Sequence, residues 1–111
     1  MRNRIDGSAN DRNQIPAGTV LVYKTNKGNL GKLQILKYGY NLRAKWVTHA
    51  PDGTMLSRGN NLLIKGTYLY DLDLGREVAN GEPGADLWWE QADNVDRYLV
   101  FQSGASFTVV S

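Results

Sequence analysis

Few side chains in this chain are of a type and spacing that could do chemistry. His49 is the only histidine, so a Ser–His–Asp triad would have to be assembled around it. It lies just before the turn Pro51-Asp52-Gly53-Thr54, where exposed polar residues are ordinary, and no Gly-x-Ser-x-Gly elbow occurs. The 111 residues include no cysteine. That excludes thiol catalysis, a disulfide framework and Cys-ligated zinc or iron–sulfur sites.

Carboxylates are the next candidates. Asp71, Asp73, Glu77 and Glu82 crowd one segment, and Asp71-Leu72-Asp73-Leu74-Gly75 shares the opening of a calcium loop. An EF-hand also needs twelve loop residues, further oxygen ligands, a closing bidentate Glu and flanking helices, and these are missing. The segment therefore reads as a solvated acidic loop, with a calcium site from Asp71, Asp73 and backbone carbonyls as the alternative. For sugar hydrolysis the nominees are Asp86, Glu90 and Asp71. Glycoside hydrolysis wants two carboxyls about 5–9.5 Å apart across a cleft. Asp86 and Glu90, four apart on one strand, are separated by about 13 Å. A partner strand would be needed, so a small hydrolase is the last of the alternatives and the balance is against an enzyme.

Aromatic residues make a better lead. Trp88 and Trp89 are adjacent, so on a strand they face opposite sides. If Trp89 joins Leu87 in the core, Trp88 stands outside between Asp86 and Glu90, a stacking platform for a sugar or a hot spot for a protein. Tyr38 and Tyr40 are further candidates for this contact surface. A second lead is charge. The net +2 conceals nine Lys/Arg against two acids in residues 1–50, a charge of +7, and four against nine in 51–111, a charge of −5. Lys24, Lys32, Lys37, Arg43 and Lys45, with Tyr23, Tyr38 and Tyr40 among them, could hold a single-stranded nucleic acid through phosphate contacts and base stacking. Because β halves interleave in space, the split need not become a surface dipole.

The elements that would position these groups read as strands throughout. Thr19–Lys24, Lys32–Tyr40 and Asn41–His49 alternate or are rich in β-branched and aromatic residues. The Pro51–Thr54 turn returns the chain through Met55–Arg58, because Pro presets one corner and Gly accepts the left-handed position. A second turn at Gly59-Asn60-Asn61 leads into a long strand, Leu62–Leu72. Asp73–Gly84 is the longest loop, and Ala85–Ala92, Arg97–Gln102 and Ala105–Val110 complete the set. The expectation is an all-β single domain over 17–111, an antiparallel sandwich or partly closed barrel of about eight short strands. Residues 1–16 read as a flexible polar arm, too polar to bury themselves. There is no apolar stretch of a secretory signal and no run of about 20 apolar residues, so the sequence predicts a soluble, cytoplasmic protein with no membrane partner.

The runs Tyr38-Gly39-Tyr40-Asn41-Leu42, Trp46-Val47-Thr48, Asp52-Gly53-Thr54, Gly66-Thr67…Asp71-Leu72-Asp73, Trp88-Trp89-Glu90-Gln91 and Arg97-Tyr98-Leu99 resemble uncharacterised small bacterial all-β proteins, including mobile gene cassette products. The resemblance implies a bacterial source and transfers no activity to any position. The reading from sequence is a non-enzymatic binding module without a cofactor. It self-associates or binds another protein through a surface aromatic, with Trp88, Asp86, Glu90, Tyr38 and Tyr40 as contact residues. A lectin-like glycan or small-ligand domain and a nucleic-acid binder are the alternatives.

Overall fold

A computed structural model describes residues 2–79 and 82–110. Its ten strands are β1 (Arg4–Asp6), β2 (Val20–Lys24), β3 (Leu30–Lys37), β4 (Leu42–His49), β5 (Met55–Ile64), β6 (Leu69–Asp71), β7 (Arg76–Val78), β8 (Leu87–Gln91), β9 (Arg97–Phe101) and β10 (Ser106–Val109). They form two five-stranded antiparallel sheets, a front sheet in the order β10-β2-β3-β4-β5 and a back sheet in the order β1-β9-β8-β6-β7. The fold is a sandwich with open edges and is not a barrel. No helix among the described residues is long and apolar enough to cross a membrane.

Alternation along each strand builds the core. Leu21 and Tyr23, Leu33 and Ile35, and Leu42 and Ala44 face inward from the front sheet. Leu87 and Trp89, and Leu99 and Phe101, face them from the back. Trp89 is fully buried, and its indole N–H donates to the Tyr40 carbonyl at 2.7 Å. Tyr38 meets the Trp89 ring edge-on, with centroids 6.2 Å apart, and donates its hydroxyl to the Gly7 carbonyl at 2.5 Å.

The leading segment, read from sequence as a flexible arm, is woven into this fold. Arg4–Asp6 pairs with β9, Gly7 N donates to the Arg97 carbonyl, and Ala9 N donates to the Val95 carbonyl. Ile5 and Ile15 are both buried. Two isoleucines are enough: fully burying each apolar side chain is worth about 1.5–3 kcal/mol, so a polar segment with well-placed anchors can dock. Gly7 lets it sit close, since a Cβ there would lie 2.7 Å from the Trp89 ring.

Three further boundaries differ from the sequence reading. Gly59-Asn60-Asn61, expected as a turn, continues β5 through a bulge, with Gly59 opposite Trp46 and Leu62 opposite Ala44. Gly59 is required there because a Cβ would lie 2.4 Å from the Trp46 ring. The strand expected over Leu62–Leu72 breaks at Lys65–Tyr68, where the chain passes from the front sheet to the back. Thr67 takes φ 73° in that turn. The long loop contains β7, which pairs with β6; its residues 80 and 81 lie outside the described residues. By contrast the Pro-Asp-Gly hairpin between β4 and β5 has the expected form, with Gly53 at φ 92° and its N–H donating to the Ala50 carbonyl.

Candidate functional site

Asp71 ends β6, Asp73 stands in the turn that follows, and Asp86 immediately precedes β8. Pairing brings them together: β6 binds both β7 and β8, and Asp86 N donates to the Tyr70 carbonyl at 2.9 Å. One carboxylate oxygen from each lies within 4.8 Å of the others. All three are buried, at 3%, 5% and 0% exposure. Asp86 was expected beside Trp88 on the open face. It is instead enclosed, because its carboxylate accepts from, and so caps, the backbone N–H groups of Asn26 and Leu72, in two loops that cover this end of the sheet.

Those caps are explicit. Asp86 Oδ1 accepts from Asn26 N at 2.7 Å and Oδ2 from Leu72 N at 2.9 Å. Asp71 Oδ1 accepts from Asp73 N at 2.9 Å and Leu74 N at 3.3 Å. Asn29 Nδ2 donates to Asp73 Oδ1 at 2.7 Å. Two buried oxygens here have no hydrogen-bond partner: Asp73 Oδ2 and, on the residue whose backbone N–H bonds Asp86, Asn26 Oδ1. Among the described residues no lysine, arginine or histidine pairs with any of the three acids. Burial pushes the Asp86 carboxyl up to about 6, against the pull of the Asn26 and Leu72 N–H groups, and the charges of Asp73 and Asp71 push the same way. Gly84 completes the enclosure: a Cβ there would lie 2.4 Å from Asp71 Oδ2. The acidic segment is therefore no solvated loop at these positions. No sugar ring has an approach between such buried carboxyls, and Glu90, on the far side of the back sheet, stands apart from them.

On the outer face of the back sheet, register aligns Val78, Leu69, Trp88 and Val100 in one row across four strands. Trp88 is half-buried and its indole N–H is held by the Thr67 carbonyl at 3.1 Å. A depression of about 240 Å³ is lined by Thr67, Leu69, Trp88 and Gln102. Glu90 shares this face, two residues along β8. Tyr38 and Tyr40 do not: Tyr38 packs on Trp89, while Tyr40, 54% exposed, stands over Gly66 with its ring centroid 5.8 Å from the Arg97 guanidinium carbon.

The front sheet resolves the question of the charge split. Its five strands contain no Asp or Glu, and hold Lys24, Lys32, Lys37, Arg43, Lys45 and Arg58. Neighbours on β2, β3 and β4 are inward, so Lys24, Lys32, Arg43 and Lys45 point outward. Arg58 shares the outer face through its pairing with Val47, and Lys37 through its pairing with Arg43. Among the described residues none of the six is in an ion pair. Lys32, Lys45 and Arg58 border a shallow depression of about 380 Å³ together with Gln34, Val47 and Asn60. The sequence asymmetry becomes a face because three consecutive strands of the basic half, β2, β3 and β4, lie side by side, and β5 adds Arg58 without adding an acid. Tyr23, expected among the outward aromatics, is buried inside, where its hydroxyl lies 2.5 Å from Thr48 Oγ1. Base stacking on it is therefore ruled out.

No protein-family model, no curated protein and no solved structure matches this chain.

Proposed function

We propose that the protein is a non-enzymatic binding module whose front sheet takes a polyanion, with a nucleic-acid backbone as the ligand of that chemistry. One observation carries the reading: six outward cations on one sheet face, with no acid in any of its strands. Such a surface concentrates a like-signed potential and releases counterions when phosphates replace them. Strands about 4.8 Å apart place Lys32 and Arg58, two strands removed, about 10 Å from each other, with Lys45 diagonal to Lys32 between them. No Phe, Tyr or Trp side chain of the front strands points outward, so recognition rests on charge and not on base identity.

Fluorescence anisotropy of a labelled oligonucleotide at low salt tests this. Binding is expected for the unaltered protein, at least a tenfold loss in Lys32→Glu with Lys45→Glu, and no change in Trp88→Ala. Failure to bind at low salt would remove the reading.

A second reading rests on a separate observation, the apolar row Val78, Leu69, Trp88 and Val100. Contact between two copies through the back sheet would cover it. Light scattering then gives a mass above that of one chain for the unaltered protein and the single-chain mass for Trp88→Asp; a single-chain mass for both contradicts self-association.

A further inference from the structure

The acidic cluster is the strongest feature left over by the polyanion reading, and it lies on different elements. Three buried carboxylates within 4.8 Å of one another repel strongly in a medium less polarisable than water. Proteins that bury charge pair it or coordinate it to a cation, and no basic side chain among the described residues performs that task here. The backbone N–H groups satisfy Asp86 and one oxygen of Asp71, yet they leave Asp73 Oδ2 without a partner in a side chain that is 5% exposed. Asn26 Oδ1, a neutral oxygen, is also buried and unpartnered, while its own backbone N–H is bonded to Asp86. The orphaned carboxylate oxygen belongs to the cluster itself, and Asn26 is joined to the cluster through that backbone N–H. Both lack a positive group.

We infer that Asp71, Asp73 and Asp86 form a site for a hard divalent cation of the calcium class that ties the β2–β3 turn to the loops around β7. The donor set is all oxygen, which suits calcium or magnesium and disfavours zinc and copper. Burial favours calcium: Mg²⁺ dehydrates reluctantly and usually keeps several waters, which carboxylates only 0–5% exposed leave little room for. Gly84 is consistent with this, because only a residue without Cβ lets the loop close over Asp71 Oδ2.

The inference is independent of the polyanion face, and its test uses different readouts. The full chain is unfolded thermally in a chelator and then in about 1 mM Ca²⁺, where the midpoint is expected to rise by about 5 °C or more. Equilibrium dialysis is expected to return one calcium per chain. Magnesium at the same concentration should give less than half the shift. Asp73→Asn keeps the shape and removes one repelling charge, so in chelator it should melt at or above the unaltered protein, while losing the calcium response. No calcium bound to the unaltered protein in dialysis overturns the inference, whatever the variant does. So does an undiminished calcium shift in Asp73→Asn, and an equal shift with magnesium overturns the calcium assignment.

Discussion

Single residues in this sandwich act mainly through what they exclude. Gly7 admits no side chain because Trp89 and Ile15 approach within 2.8 Å of where a Cβ would sit. Gly7→Ala is expected to cost about 1–3 kcal/mol by overpacking, seen as a lower urea midpoint with an unchanged slope. Thr67 is the opposite case. A β-branched residue at φ 73° is strained, and it is held there by its N–H to the Trp89 carbonyl at 2.7 Å. Thr67→Gly should therefore stabilise by about 1 kcal/mol in the same measurement, provided the carbonyl still holds the Trp88 indole. Asp86 sets a pH dependence in cation-free buffer. Its folded-state value of about 6 lies above the ordinary 3.8, so the native state holds this proton more tightly than the unfolded chain. Its contribution is favourable at low pH and is lost as pH rises from about 4 through 6. Lowering pH from 7.5 to 5 in chelator should recover about 1 kcal/mol of unfolding free energy, whereas Asp86→Asn should flatten that part of the profile.

Elements were legible where the local chemistry had one solution. The alternation of Leu42, Ala44 and Trp46 and the Pro-Asp-Gly corner specify β4, its hairpin and its inward face without help from the rest of the chain. Three failures share one cause, which is that the deciding contact lay far away in sequence. Asn60-Asn61 looks like a turn, yet Gly59 is there to accommodate Trp46 and the pair is absorbed as a bulge. Arg76–Val78 has no pattern of its own and becomes a strand because β6 offers an edge. Residues 1–16 look like a tail, and the β9 edge together with burial of Ile5 makes Arg4–Asp6 a strand. Removing residues 1–6 is accordingly expected to lower stability by about 2 kcal/mol or more, measurable as a drop in denaturation midpoint; a disordered arm would give no change. The acidic site was half legible. Asp71 and Asp73 announce themselves by spacing, while Asp86 and Asn26 reach the cluster only through sheet pairing and turn packing.

At the scale of the whole molecule, the two sheets divide the labour. The front sheet gathers five basic residues of the leading half together with Arg58, and the back sheet with its loops holds the buried acids and the Trp88 row. Consecutive strands made this a surface property instead of a bookkeeping asymmetry, which the sequence alone could not decide because strand order was unknown. The central claim is that the front face binds phosphate backbones by charge. Affinity for a short duplex measured across a salt series tests it most directly. With four to six phosphates neutralised, log K is expected to fall against log[salt] with a slope of about −3.5 to −5.5. In Lys32→Glu with Lys45→Glu the slope should shallow by about 2, with the melting midpoint little changed. Binding that ignores salt, or a slope unaltered by the double substitution in a folded protein, would contradict the account.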